Sequence, residues 1–259
     1  MHKFNKAAKT YLEHNRLQRY SFAVIQDMLP KKAFTVLDLG CGPGAHLLDL
    51  QKQYPKSLVI GCDNSQAMLK IAQTNNNYLI AADANKLPFV PNCFDLITSN
   101  MLIQWLPDLS KTFADIWNIT KYNGEFIAAT LGKDSLKEAR QALASIDRQN
   151  NINDFFDMHE LGDLLQQQKW QEIYTAREVI SLEFNSAYDV FSNLRLTGSN
   201  TKTNNSATNK YLSKKDWQTC LDNYPKTNGK YLATYEIITL RAKKLLPKNQ
   251  IDPKQIQRI

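Results

Sequence analysis

The chain has 259 residues, of which 43% are hydrophobic, and its 32 Lys and Arg outnumber 25 Asp and Glu to give a net charge of +7. This length and apolar content suit a single α/β domain with a buried core, and the modest basic excess favours acidic partners. No basic platform interleaved with aromatic residues occurs, so a nucleic-acid partner is not expected. The four cysteines lack Cys-x-x-Cys spacing, which argues against a metal site. We expect a cytoplasmic protein, because the sequence shows neither a signal-peptide core nor an apolar run of membrane length.

The first predicted elements are two helices. Apolar residues recur at helical spacing between Phe4 and Leu12, and a second helix is predicted from about Leu17 to Met28, ending before Pro30. Because both helices precede the first strand, we expect residues 1–32 to form a helical flap next to the core.

A strand that runs straight into a glycine-spaced turn follows. Val36 to Leu39 is apolar except for Asp38, and glycines stand at 40, 42 and 44. Glycine allows the backbone to turn sharply and to approach a ligand closely, and a helix can open over Ala45 to Leu50. The pattern G-x-G-x-G differs from the G-x-G-x-x-G of dinucleotide sites, and alone it is equally typical of an ordinary strand-to-helix connection.

Three further strands each end at a polar residue. Leu58 to Cys62 ends at Asp63, about 20 residues beyond the glycines, where an acid binds ribose in nucleotide folds. Tyr78 to Ala82 ends at Asp83, and Phe94 to Ser99 ends at Asn100. The carboxyl ends of parallel strands form the ligand site of open α/β sheets, so these side chains are candidate ligand contacts.

The rest of the chain predicts more helices and three more strands. The helices cover Pro107–Ile119, Ser135–Ile146 and Met158–Gln168, and the strands cover Gly124–Thr130, Ile173–Phe184 and Tyr231–Leu240. The segment Ser186–Gly229 is too long for an edge connection and holds its own helices, Ala187–Leu196 and Ser213–Asn223. We expect these to form a cap that selects the substrate.

The motifs between Thr35 and Thr130 resemble the class I S-adenosylmethionine-dependent methyltransferases. The resemblance implies a Rossmann-like fold with a seven-stranded, mostly parallel sheet, in which 33–185 is the core, 186–229 the cap, 230–245 the last strand and 246–259 a basic tail. It also implies S-adenosylmethionine as cofactor. The resemblance assigns the methionine end of the cofactor to Asp38, Gly40, Gly42 and Gly44, the ribose to Asp63, the adenine to Met68, Asp83 and Ala84, and the position below the sulfonium to Asn100. Cys41 and Asn64 are also predicted to bind the cofactor.

Over nearly the whole length to Arg241, the chain resembles one family in particular, the malonyl-acyl carrier protein O-methyltransferases of biotin biosynthesis. Four of that family's motifs occur in order. They are F-x-x-A-A-x-x-Y at 4–11, S-N-x-x-x-Q-W at 99–105, L-[K/R]-x-x-G at 194–198 and T-Y-E at 234–236. The sequence departs from the family in the Asn-rich run after Gly198 and in a basic tail from Lys243.

The resemblance implies methylation of the free carboxylate of a malonyl thioester on acyl carrier protein or coenzyme A. Arg195 is the predicted carboxylate clamp, since a guanidinium can bind a carboxylate bidentately. Tyr11 is expected to close over the methionine end, and Gln104 and Trp105 to line the sulfonium pocket. His46 is interpreted as structural, because an ionised carboxylate needs no general base.

The positive charge late in the chain suits an acidic carrier protein, although solvated lysines explain it equally well. These residues are Lys202, Lys210, Lys214, Lys215, Lys226, Lys230, Arg241, Lys243, Lys244, Lys248, Lys254 and Arg258. Two alternative functions stay open at this point. One is another methyltransferase, acting on a small free acid or a quinone-ring carbon, and the other is a non-catalytic S-adenosylmethionine-binding protein.

Overall fold

The structure, a computed structural model, describes residues 14–73, 78–197 and 213–246. The helices in these ranges are α1 (Arg16–Met28), α2 (Leu47–Gln53), α3 (Gln66–Ala72), α4 (Leu109–Ile119), α5 (Lys137–Ala144), α6 (Met158–Gln167), α7 (Ala187–Leu196) and α8 (Lys214–Asp222). The strands are β1 (Thr35–Leu39), β2 (Leu58–Asp63), β3 (Tyr78–Ala81), β4 (Phe94–Asn100), β5 (Thr120–Leu131), β6 (Gln171–Phe184), β7 (Lys226–Thr227) and β8 (Lys230–Lys243). The helix predicted over Phe4–Leu12, Tyr11 within it, the Asn-rich run and the tail beyond 246 lie outside the described residues.

One sheet contains all the described strands. Its order is β3-β2-β1-β4-β5-β8-β6; the strands from β1 to β5 run parallel, and β8 is antiparallel to both β5 and β6. The prediction of seven strands was wrong by one, because β7 forms a short hairpin with the start of β8. The turn is Asn228-Gly229, with φ of 50° and 74°, and such a pair favours tight hairpins.

Helices pack on both faces of the sheet. On one face, α1, α2, α3, α5, α7 and α8 contribute to a core cluster that includes Phe22, Ile25, Val36 and Leu47. On the other face, α4 and α6 pack against a cluster that includes Leu37. Because side chains alternate along a strand, Val36 and Asp38 project to the first face and Leu37 to the second.

Side-chain caps set where several helices begin. Ser65 accepts a hydrogen bond from the Met68 N–H at the start of α3, at 3.3 Å. Asp108 caps α4, which therefore begins at Leu109 and not at Pro107. Ser186 caps α7, so this predicted cap helix begins and ends where the sequence indicated. The division into flap, core, cap and tail stays a prediction.

The strand register aligns the carboxyl ends of β1, β2 and β4. Asp38 lies opposite Gly61 on β2 and Thr98 on β4, and Asp63 lies opposite Ala81 on β3. β1 therefore stands where the strand order reverses, which is the ligand crevice of open α/β sheets. The polar residues predicted to act together do end at one edge.

Three of the basic residues near the end of the sequence bind other residues of the fold. Arg241 donates to both carboxylate oxygens of Glu125, at 2.8 and 3.1 Å. Lys243 pairs with Glu172 at 3.3 Å. Lys244, only 2% exposed, donates to the carbonyls of Trp117, Asn118 and Thr120 and to the side chain of Asn92. The interpretation that a basic tail begins at Lys243 was wrong, because these cations have intramolecular partners.

Candidate active site

The glycine turn between β1 and α2 needs glycine for two different reasons. Gly40, Gly42 and Gly44 have φ of 78°, 53° and 78°, in the left-handed region that favours glycine. A Cβ on Gly44 would lie 2.8 Å from the Cβ of Ala72 on α3, so close packing requires this glycine. A Cβ on Gly42 would meet no atom within 4 Å. Gly42 thus borders open space in which a ligand can approach the backbone.

Asp63 joins the end of β2 to this turn. Its Oδ2 accepts the Gly42 N–H at 2.9 Å, and its Oδ1 accepts the Ser65 N–H at 2.8 Å. Burial raises the pKa of Asp63, and these hydrogen bonds partly oppose the rise because they stabilise the carboxylate. The carboxyl group is held in place and keeps acceptor capacity for a hydroxyl-bearing ligand.

Asp38 is a buried carboxyl with one unpartnered oxygen. The side chain is 1% exposed; Oδ1 accepts a hydrogen bond from the Thr98 hydroxyl at 3.2 Å, whereas Oδ2 has no partner. Burial, with a smaller contribution from the nearby Asp63 charge, raises the pKa of Asp38 to about 7. An unsatisfied buried acceptor is costly, so this position suits a ligand that carries a positively charged donor.

The residues predicted to contact adenine follow β2 and β3. Met68 and Ala84 are buried, while Asn64 is exposed. Asp83 is partly buried, and its Oδ1 accepts hydrogen bonds from the N–H and the side-chain amide of Asn85, at 2.9 and 2.8 Å. Asp83 is therefore oriented by the turn that follows it.

Asn100, at the end of β4, is hydrogen-bonded to α1. Its Nδ2 donates to the Gln18 carbonyl at 2.8 Å, and its Oδ1 accepts from the Ser21 hydroxyl at 2.7 Å. Sequence reasoning missed this contact. A usable signal was present, since Gln18 and Ser21 interrupt the apolar face of the helix predicted from Leu17 to Met28.

Gln104 and Trp105 lie in a single 3₁₀ turn, Ile103–Trp105, just after β4. Gln104 is 6% exposed; its Oε1 accepts the Thr130 hydroxyl at 2.8 Å, and its amide lies 3.8 Å from the Met101 sulfur. Trp105 is partly buried. Both side chains are therefore near the end of β4, and Gln104 is fixed by β5.

Arg195 lies on the last turn of α7 and is exposed. Within the described parts of the chain, no hydrogen bond or ion pair involves its guanidinium. Two residues earlier, the Asn193 amide donates to the carbonyl of His14 at 3.5 Å, next to the start of α1. α7 therefore approaches the start of α1, the helix that is hydrogen-bonded to Asn100.

His46 precedes α2 and stacks on α1. Its ring is nearly parallel to that of Phe22, at 7°, with the centroids 3.8 Å apart. Burial lowers the pKa of His46 to about 4. The ring is therefore neutral at physiological pH and too weak a base to hold a proton there.

The described residues contain neither a candidate membrane span nor a candidate metal site. No helix among them combines the length and apolar character needed to cross a membrane. In the same ranges, no group of three or more His, Cys, Asp or Glu side chains is placed to hold a metal ion.

The comparisons with known proteins agree with this geometry. A family model described as a methyltransferase domain matches residues 30–178. A malonyl-[acyl-carrier protein] O-methyltransferase from Gallionella capsiferriformans is 31% identical, over 95% of this chain and 90% of its own length. A biotin biosynthesis bifunctional protein from Saccharophagus degradans is also 31% identical, over 75% of this chain and 37% of its own length.

A solved structure shows the same fold. A SAM-dependent methyltransferase from Thermotoga maritima superposes with a TM-score of 0.59 at 18% identity, over 94% of this chain and 98% of its own. The predicted Rossmann-like methyltransferase fold is confirmed.

Proposed function

The chain belongs to the malonyl-[acyl-carrier protein] O-methyltransferase family, and on that premise we propose that it methylates the free carboxylate of a malonyl thioester carried by acyl carrier protein. S-adenosylmethionine is the methyl donor, and the methyl ester enters biotin biosynthesis. The observation that carries this proposal is the extent of the similarity, which covers 95% of the chain and so includes the cap as well as the cofactor core.

The residues at the carboxyl edge fit the cofactor. The unpartnered Oδ2 of Asp38 is a buried anionic acceptor for the cofactor's ammonium group, and the open space beside Gly42 admits a ligand against the backbone. Asp63 has acceptor capacity for ribose hydroxyls, with Asn64 next to it. Met68, Asp83 and Ala84 are the proposed adenine contacts.

When bound, S-adenosylmethionine supplies an electrophilic methyl group on a sulfonium sulfur. The malonyl carboxylate is ionised at neutral pH, so none of the protein's residues has to remove a proton. The His46 imidazole agrees with this, because burial lowers its pKa to about 4 and a base that weak is not suited to removing a proton. The protein contributes by aligning the carboxylate with the methyl group, which can lower the activation free energy by several kcal/mol through effective molarity.

Arg195 is the proposed clamp for the malonyl carboxylate. Its guanidinium is uncommitted among the described residues and lies on the cap helix that meets α1. A bidentate pair would fix the orientation of the carboxylate, and Gln104 and Trp105 would shape the pocket beside it. Tyr11, outside the described residues, is proposed to close over the methionine end, and the closed cap would exclude water.

The proposed partner is acyl carrier protein, with coenzyme A as the smaller carrier of the same phosphopantetheine arm. The proposed location is the cytoplasm. The protein's four cysteines are free thiols, three of them buried, as is typical of proteins in a reducing compartment.

Intact-mass spectrometry tests the proposal directly. Malonyl-acyl carrier protein is incubated with the protein and S-adenosylmethionine, with malonyl-coenzyme A and acetyl-acyl carrier protein alongside. We expect one added methyl on the malonyl substrate and none on the acetyl control, which lacks a free carboxylate. If neither malonyl thioester gains a methyl while the protein binds the cofactor, the proposed substrate is wrong.

A further inference from the structure

Three buried polar atoms without partners belong to residues that flank the glycine turn and to α1, the helix that stacks on His46 after this turn. They are Oε1 of Gln18 on α1, Oδ2 of Asp38 on β1 and Nε2 of His46 before α2. Gln18 is 6% exposed and Asp38 is 1% exposed, so both side chains are shielded from bulk solvent. Unsatisfied buried polar atoms are rare because each carries a desolvation cost, and a group of them calls for an explanation.

All three atoms belong to the same face of the sheet. Asp38 projects to the same side of β1 as Val36, whose cluster contains Leu17 and Phe22 of α1 and Leu47 of α2. Asn100 projects to that side of β4, since it binds the Gln18 carbonyl at 2.8 Å. Gln18 is thus held above the ends of β1 and β4.

The helix is fixed one turn further on as well. Phe22 is four residues after Gln18, which places the two side chains on one side of α1, and Phe22 stacks on His46. This stack packs α1 against the residue that follows the glycine turn and precedes α2. Since Gln18 is buried and lies on the same side of α1 as Phe22, its side chain faces the sheet, on the face that also carries Asp38.

The chemistry of these groups specifies what they would bind. Asp38 Oδ2 and Gln18 Oε1 are both acceptors, and burial keeps the His46 ring neutral, so it does not repel a cation. A group with several N–H donors and a positive charge would satisfy both oxygens. The ammonium group of an amino acid has three such donors.

We propose that Gln18 is a cofactor-binding residue, whose Oε1 joins the Asp38 carboxylate in accepting hydrogen bonds from the α-ammonium group of S-adenosylmethionine. This inference rests on the proposed function for the identity of the cofactor. It adds α1 to the binding site and gives the Asn100–Gln18 hydrogen bond a role in positioning the Gln18 side chain.

The test is calorimetric titration at pH 8 with three ligands that differ at one end. S-adenosylmethionine has both ammonium and carboxylate, its decarboxylated form keeps the amine alone, and 5′-methylthioadenosine has neither. Gln18→Leu removes the acceptor at similar volume. Gln26→Leu, an exposed glutamine on the same helix, is the matched control. Gln18→Glu restores an acceptor at position 18.

We expect Gln18→Leu to weaken binding of S-adenosylmethionine and its decarboxylated form by roughly 10- to 100-fold, the effect of losing one hydrogen bond to a charged group. Binding of 5′-methylthioadenosine should stay unchanged, as should binding of all three ligands to Gln26→Leu. Gln18→Glu should bind the two amines more tightly than Gln18→Leu does.

Three results would overturn the inference. Equal losses for all three ligands would mean that Gln18 only supports α1, a loss confined to S-adenosylmethionine would mean a contact to the carboxylate, and no loss would mean no contact. Failure of the proposed substrate is separate, because wild-type protein could show the expected ligand pattern and still not methylate malonyl-acyl carrier protein. If the wild-type protein binds none of the ligands, both proposals fail.

Discussion

The Thr98 hydroxyl donates a hydrogen bond to Oδ1 of Asp38 at 3.2 Å, and the second oxygen of that carboxyl has no partner. One neutral hydrogen bond does not offset the burial of a charge, and the pKa of Asp38 is raised to about 7. Asp38 is therefore arranged to bind a ligand at the expense of the stability of the free protein.

Replacing Asp38 with Asn should stabilise the protein at pH 8. Because folding raises the pKa of Asp38 from its ordinary value of 3.8 to about 7, the folded state favours the protonated form, and stability is lost as the pH rises from about 4 to about 7. Asp38→Asn removes this loss and should raise the free energy of unfolding by about 2 kcal/mol, or the melting temperature by roughly 4–8 °C. Calorimetric melting at pH 8 and pH 5 measures it. A lower melting temperature for the variant at pH 8 would contradict the burial argument, and the difference should shrink at pH 5.

Cofactor binding should weaken in acid. A cationic ammonium group binds the ionised form of Asp38, so protonation below about pH 7 competes with binding. The apparent affinity for S-adenosylhomocysteine should fall by up to about tenfold per pH unit below that value. Titration between pH 5.5 and 8.5 measures the slope. Asp38→Asn removes the carboxyl that titrates near pH 7, so it should lessen the slope.

Two glycine variants should separate binding from packing. Gly42→Ala adds a methyl group to open space, at a φ that costs on the order of 1–2 kcal/mol, so the protein should fold but lose cofactor affinity. Gly44→Ala pays the same backbone cost and also places a Cβ 2.8 Å from that of Ala72, so it should be the less stable variant. Thermal melting and cofactor titration of both variants test this. A Gly42→Ala protein with wild-type affinity would show that the open space is not used.

Arg195→Ala should reduce kcat/KM for malonyl-acyl carrier protein by about 100-fold, the effect of losing a bidentate contact to a carboxylate. Arg195→Lys should recover only part, because an ammonium cannot form the planar pair. The affinity for S-adenosylmethionine should not change. Lys52→Ala removes another exposed cation and serves as the control for net charge. Wild-type turnover by Arg195→Ala would mean that Arg195 is a surface charge and would favour a different acceptor.

Lys244→Ala should destabilise the protein far more than Lys243→Ala. The Lys244 ammonium donates to three carbonyls and lies 4.0 Å from the centre of the Trp117 ring, so its removal leaves buried acceptors unsatisfied. We expect a loss of about 3 kcal/mol, against less than about 1 kcal/mol for the exposed ion pair of Lys243. Urea unfolding of both variants measures the difference. Equal decreases in the free energy of unfolding would contradict the larger stabilising role assigned to the buried Lys244 ammonium.

The elements that local pattern controls were predictable. The Gly40–Gly44 spacing, the polar residues that end β2 and β4, and Pro30 after α1 are all signals within a few residues of the feature they predict. The Asn228-Gly229 pair is a local signal of the same kind, and the strand β7 that precedes it was missed because this signal was overlooked.

The contacts that sequence reasoning missed join distant parts of the chain. Asn100 and Gln18 are 82 residues apart, and Lys244 lies 127 residues from Trp117. A lysine after a strand resembles a solvated charge until tertiary packing brings carbonyls to it. In the same way, the partner of Asn100 depends on how α1 crosses the sheet, which periodicity does not specify.

The position of β8 has a consequence for how the protein is made. β8 is the last strand in the described chain, yet it lies between β5 and β6 and is the only described strand that pairs with β6. Until the ribosome has released residues 230–243, one edge of β5 and both edges of β6 therefore lack a partner strand. Exposed edges of this kind invite pairing with other chains, so stalled or prematurely terminated products should be especially prone to aggregation and chaperone capture.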